Sequence, residues 1–355
     1  MNTKLKFLSA LGLLLIMSIM LAACAPAVST PVTTTATTAA ATTPESTTTQ
    51  PAERVAVRIA ALKGPTGIGL VGLMDSQEAG TTQNDYTFSL SGAPDDITAK
   101  LISGQADIAA LPTNLAAVLY QKTNQEVLML AVNTLGVIYI LEKGNTVQSL
   151  SDLAGKTILA SGQGAVPEYV LNDLLQKGNL TQPATVEYKS EHSELATLAL
   201  SGQADLVMLP EPFVTTVLSK NSEFRIALDL TEEWNKVQTA AGNNSGLSMG
   251  CLVVTASFAS AHPDALAMFL DEYARSVDFV NSDTTKAGER VAAYGILADA
   301  GLAAKAIPTC NIVLVEGEAM KDSLKPFFEI LFAANPKSVG GKLPDDNFYW
   351  MRSVK

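Results

Sequence analysis

Three glycine-bearing strings in this chain have spacings that could support chemistry at a phosphate or a carbonyl. Gly67-Ile68-Gly69-Leu70-Val71-Gly72 matches the dinucleotide fingerprint, whose glycines let the backbone approach a pyrophosphate. The preceding strand is expected to end near Leu62, four or five residues too early, because the fingerprint's first glycine turns directly off its strand. Gly246-Leu247-Ser248-Met249-Gly250 matches the nucleophile elbow, but that chemistry needs a histidine base. Of the two histidines, His262 adjoins Pro263 at a helix start and His192 stands before another helix, both expected outside the strand-end loops. Gly155-Lys156-Thr157 has Leu150 where a phosphate loop requires glycine. No Cys, His and carboxylate cluster has metal-ligand spacing. The expectation is therefore no catalytic residue, no metal and no cofactor.

What remains is binding chemistry. Lys63-Gly64-Pro65-Thr66-Gly67 and Ser161-Gly162-Gln163-Gly164-Ala165 each follow a strand and precede a helix, whose first amides are free to donate. Neither loop holds an acid. Asn114 and Glu211 stand just past two further strands; the first offers donors and an acceptor, the second a charged acceptor or a helix-start carboxylate. With no basic pair expected among these loops, and with Glu211 among them, a neutral or zwitterionic solute is favoured over a small dianion.

The elements that position these loops repeat. Residues 101–112 read LISGQADIAALP and residues 199–210 read ALSGQADLVMLP, so Ser103, Asp107 and Pro112 align with Ser201, Asp205 and Pro210. Each copy predicts a helix, a tight glycine turn, a short buried strand and a proline-started helix. Strands are also expected at 55–62, 87–90, 127–132, 136–141, 157–160, 225–230 and 252–254, and 262–280 reads as a long amphipathic helix. Alternation of strands with helices predicts largely parallel sheets, with ligands beyond the strands' carboxyl ends.

The amino-terminal segment reads differently. Lys4 and Lys6 precede an apolar run that closes on Leu21-Ala22-Ala23-Cys24, the pattern of a signal peptide over residues 1–23, and the run is shorter than the ~20 residues a membrane span needs. Residues 24–53, rich in Thr, Ala and Pro, lack the apolar side chains to offset ordering and read as a disordered tether. A formal charge of −11 excludes a nucleic-acid partner, which would need a basic footprint. Beyond Cys24 only Cys251 and Cys310 remain, each among apolar neighbours and read as core thiols.

The Leu-Ala-Ala-Cys tetrad, the Thr-rich tether, KGPTG, the paired SGQAD units, GKTILASGQGAVPEY and the tail NPKSVGGKLPDDNFYW together resemble the substrate-binding lipoproteins of ABC importers. The resemblance is to the type II periplasmic-binding-protein branch for sulfonates, nitrate and thiamine precursors, and it extends from Arg54 onward. It implies an α/β fold of two lobes, each a mostly parallel sheet flanked by helices, joined by two hinge strands. The first lobe would hold residues 54–140 and 247–355, the second 141–246. It also implies a lipid on Cys24, a monomer held at the extracytoplasmic face of the cell membrane, and delivery of a small-molecule solute to a permease and its cytoplasmic ATPase. The loops at Thr66, Ser91, Asn114, Thr134, Gln163 and Glu211 would face the cleft. With the neighbouring Lys63, Gly67 and Gly164 these are the candidate ligand-binding residues. Two alternatives stand beside this reading: a pyrimidine-synthase-like enzyme on the same fold, and a surface lipoprotein without a transport role.

Overall fold

The computed structural model describes residues 54–242 and 245–352. The expected signal peptide, Cys24 and the tether lie outside the described residues.

The strands are β1 (Ala56–Leu62), β2 (Asp85–Ser91), β3 (Ile108–Pro112), β4 (Val127–Leu135), β5 (Ile138–Lys143), β6 (Thr157–Ser161), β7 (Thr185–Lys189), β8 (Leu206–Pro210), β9 (Phe224–Asp229), β10 (Ser248–Thr255) and β11 (Ile312–Val315). Between them run α1 (Pro65–Ile68), α2 (Val71–Glu78), α3 (Pro94–Ile102), α4 (Thr113–Lys122), α5 (Val166–Lys177), α6 (His192–Leu200), α7 (Phe213–Lys220) and α8 (Leu230–Ala240). The carboxyl-terminal third adds α9 (Ala256–Ala261), α10 (Pro263–Ser282), α11 (Thr284–Ala293), α12 (Ala300–Ala306) and α13 (Gly317–Ala334).

Two sheets result, ordered β11-β4-β10-β3-β1-β2 and β7-β6-β8-β5-β9. They are mixed rather than largely parallel. In each, three strands on one side are parallel, β2-β1-β3 and β7-β6-β8. The strands that cross between sheets run against them: β10 is antiparallel to β3 and β4, and β5 to β8 and β9. A chain that leaves one sheet along β4 and re-enters along β10 must run the second strand backwards. The crossings fall at residues 136–137 and 245–247, so Ile138–Ile140 already belongs to the second sheet.

The repeat is physical. Gly104 and Gly202 take the left-handed φ of 71° and 74° at the turn into β3 and β8, a conformation that disfavours a Cβ. All five residues of each strand are buried, as expected for strands covered on both faces. Pro112 and Pro210 end these strands rather than starting helices. Helix α3 begins with Pro94 and carries Asp95 and Asp96 in its first turn and Lys100 in its last, the arrangement the helix dipole favours. On α10, Leu266, Phe269, Leu270, Tyr273, Val277 and Val280 recur at helical spacing and all are buried against the first sheet.

The dinucleotide-like string is helix packing. A Cβ on Gly69 would meet the Tyr273 hydroxyl, and one on Gly72 would lie 2.9 Å from the Ser276 hydroxyl. Ser276 Oγ donates to the Gly69 carbonyl at 2.6 Å, and the glycines let α10 approach this closely. Cys251 and Cys310 are free buried thiols.

Candidate functional site

A cavity of about 420 Å³ lies between the carboxyl ends of the two sheets. That volume is at the small end of the ~300–1,000 Å³ typical of ligand sites. Lys63, Thr66, Ala93, Pro94, Asp95 and Thr134 line it from the first lobe, and Gln163, Gly164, Tyr188, Lys189 and His192 from the second. Leu62, Leu115, Val137 and Met249 give it an apolar flank.

On the first-lobe side Thr66 and Thr134 are buried and tied together. Asn133 Nδ2 donates to the Thr66 carbonyl at 3.1 Å, and the Thr134 hydroxyl donates to Asn133 Oδ1 at 3.1 Å. Gly250 backs this group: a Cβ there would meet the Thr66 methyl and lie 2.8 Å from Asn133 Oδ1. The glycine of the elbow-like string is therefore a packing glycine beside the site. Its serine, Ser248, lies in β10 with its hydroxyl 3.0 Å from that of Thr113.

Two expectations about charge are corrected here. Lys63 leaves the end of β1, Lys189 is the last residue of β7, and both line the cavity, so there is a basic pair. Neither makes an ion pair among the described residues. Among the described residues the one lining acid is Asp95. The starts of α3, α4, α5 and α6 also border the cavity, through Pro94, Pro112, Ala165 and His192, and their positive dipole ends add to the two ammonium charges.

Histidine is the second correction. His192 opens α6, just after β7, and it lines the cavity; β7 is a strand the sequence reading missed. Its ring stacks near Phe213, with centroids 5.6 Å apart, and Nδ1 lies 2.7 Å from the hydroxyl of buried Ser161. The residue is partly exposed, yet desolvation of the ring pushes its pKa down to about 4, so it is neutral at pH 7. Tyr188 also lines the cavity; its hydroxyl is buried with no hydrogen-bond partner, and burial raises its pKa.

Of the candidate binding residues, Lys63, Thr66, Thr134, Gln163 and Gly164 line the cavity; Gly67, Ser91, Asn114 and Glu211 do not. A Cβ on Gly67 would lie 2.6 Å from the Leu62 carbonyl, so this glycine closes the turn after β1. Ser91 donates to Asp96 at 2.6 Å. Asn114 is fully buried, and its Nδ2 donates at 3.1 Å both to the Gly164 carbonyl across the cleft and to the Ser338 carbonyl. The Gly164 amide is not free, since it donates to Glu168 at 2.5 Å. Glu211, 3% exposed, accepts from the Thr215 amide at 3.0 Å and from the hydroxyls of Thr215 at 2.9 Å and Thr309 at 3.0 Å. Burial holds its carboxyl above the usual range although those donors pull the other way. The residue on which the neutral-solute expectation rests thus lies off the cavity wall.

Comparison with known proteins follows the same architecture. Residues 81–242 match the sequence model of a family described as ABC transporter, phosphonate, periplasmic substrate-binding protein. No curated protein matches. Among solved structures, an ABC transporter protein from Parabacteroides distasonis is similar at a TM-score of 0.70 and 24% identity, over 85% of this chain and 100% of that one. The periplasmic aliphatic sulphonate binding protein of Escherichia coli is similar at a TM-score of 0.65 and 16% identity, over 85% of this chain and 94% of that one. The alkanesulfonate-binding protein of Xanthomonas axonopodis pv. citri, solved with MOPS, has a TM-score of 0.63 and 16% identity, over 80% and 94%. With its two mixed sheets, each flanked by helices, the chain has the type II periplasmic-binding-protein fold of these structures.

Proposed function

We propose that this chain is the extracytoplasmic solute-binding subunit of an ABC importer and that its solute is a small oxyanion, of phosphonate or sulfonate type, bearing a short apolar group. The observation that supports this reading is that Lys63 and Lys189, one from each lobe, line the same cavity. An anion between them attracts both lobes at once, at about 4 kcal/mol per pair for a 4 Å separation and an effective dielectric of 20, before desolvation is subtracted. Tyr188 and neutral His192 add uncharged polar side chains to the wall. The flank formed by Leu115, Val137 and Met249 suits the apolar group.

Methylphosphonate and methanesulfonate, titrated alongside a neutral amide, test this. A site at a hundredfold excess over Kd gains about 2.7 kcal/mol, which raises the melting temperature by several degrees. The expected result is stabilisation by an anion accompanied by compaction in small-angle scattering. Stabilisation by the neutral amide alone argues for a different solute, and stabilisation without compaction argues against closure.

In this reading residues 1–23 direct export, Cys24 carries lipid, and 24–53 tether a monomer at the extracytoplasmic face of the membrane, within reach of its permease and the cytoplasmic ATPase. Cys24→Ala is expected to release the protein from the membrane fraction with an unchanged circular dichroism spectrum. Retention of the variant after washing would show that another anchor operates.

A further inference from the structure

The two lobes also touch away from the cavity. Helix α12 and the turn Ile307–Thr309 that follows it pack on the first lobe: Ala303, Ala306 and Ile307 are buried in the same core as Ala287 and Val291 of α11. This attachment is close, because a Cβ on Gly288 would lie 2.5 Å from the Ala300 carbonyl and 2.8 Å from the Ala304 nitrogen. Rigidly held there, the segment reaches α7 and the turn before it in the second lobe, at two points. Lys305 Nζ donates to Ser219 Oγ at 3.1 Å, and Thr309 Oγ1 donates to Glu211 Oε1 at 3.0 Å. None of these four residues lines the cavity.

The second contact joins a fixed acceptor to a donor that has an alternative partner. Glu211 is fixed by the following helix α7, through the Thr215 amide and hydroxyl, so its carboxylate does not swing to follow the other lobe. The Thr309 hydroxyl has a second acceptor in its own segment, the Ala306 carbonyl at 2.9 Å. With the lobes together, the charged acceptor makes the stronger bond. With the lobes apart, the single hydroxyl proton turns to Ala306 and no donor is left buried without a partner.

We propose that Thr309 and Glu211, supported by Lys305 and Ser219, form a latch that holds the lobes together from outside the ligand cavity and slows release of the solute. The proposal rests on the hinge-closing reading given above. Removing a latch present only in the closed form raises the observed Kd by the fraction of closed molecules lost, chiefly through a faster dissociation rate. Because Ala306 takes over the hydroxyl, the expected change for Thr309→Val is about threefold to tenfold.

The test places spin labels on the exposed turns through Ser103→Cys and Ser201→Cys in the full chain, and measures interlobe distances with and without methylphosphonate and methanesulfonate. In Thr309→Val, and in Lys305→Ala, which removes an exposed contact and a positive charge acting on Glu211, the distribution is expected to move to longer distances while the melting temperature changes little. Distributions identical to the parent's in both variants would overturn the latch. The closure reading is judged separately, on the parent: its failure to shorten with either anion would overturn that reading, whatever the variants do.

Discussion

Alanine at both Lys63 and Lys189 is expected to weaken binding of the anionic solute by roughly a hundredfold to ten-thousandfold. A hydrogen bond to a charged partner contributes roughly 1.5–3 kcal/mol, and each 1.4 kcal/mol is tenfold in affinity. Both lysines line the cavity without a protein carboxylate as ion-pair partner, so the solute faces no internal competitor for them. The melting temperature without solute should barely change, because no described ion pair is lost. Asp95→Asn should act in the opposite direction and tighten binding, since it removes the one carboxylate on the wall. Calorimetric titration of both variants measures these effects, and a change below threefold in the double variant would remove the lysines from the site.

Glu142→Leu is expected to destabilise the second lobe by about 3 kcal/mol. Its side chain is 7% exposed and accepts from Arg225 Nη2 at 2.6 Å, the Thr146 hydroxyl at 2.5 Å and the amides of Thr146 and Val147 at 3.0 and 3.2 Å. Leucine leaves those donors and the guanidinium behind. Breaking a buried pair from one side costs roughly 3–5 kcal/mol, and Arg225, with 28% of its side chain exposed, puts this case at the lower end. At about 2–4 °C per kcal/mol, thermal denaturation should show a fall of roughly ten degrees. Burial alone would push the Glu142 carboxyl upward, but Thr146, Val147 and Arg225 bring it below the usual range. A depressed carboxyl contributes stability above its unfolded pKa of about 4.3, and that contribution is lost as pH falls through the folded value. Parent and variant should therefore converge below pH 4, and a gap that persists there would mean the loss is one of packing.

The repeat was legible because its signals are local and strong: a glycine at a left-handed turn, then five buried apolar residues, twice over. Strand β7 was not, and the most informative half of the cavity was lost with it. Thr185-Val186-Glu187-Tyr188-Lys189 lies at a sheet edge, where polar and half-buried residues alternate and no apolar run marks a strand. Without that strand Tyr188, Lys189 and His192 have no reason to converge. Strand β11 escaped for a different reason: its apolar run is only four residues long. Glu211 shows a different limit. Chain order places its backbone just past the end of β8, but the direction of its side chain is decided by the Thr215 hydroxyl four residues on and by Thr309, distant in sequence. Ser91 is likewise turned aside by Asp96. Spacing identified the loops, while the hydrogen bonds within and between them determine which side chains reach the cavity.

The most direct test of an anion held between the lobes is native mass spectrometry of the protein purified from its own cells, followed by chromatography of whatever it releases. The account predicts a mass excess from a compound small enough for a cavity of about 420 Å³, retained by an anion exchanger and absent from the Lys63→Ala, Lys189→Ala double variant. A released compound that is neutral or cationic, or that the double variant retains in full, would contradict it.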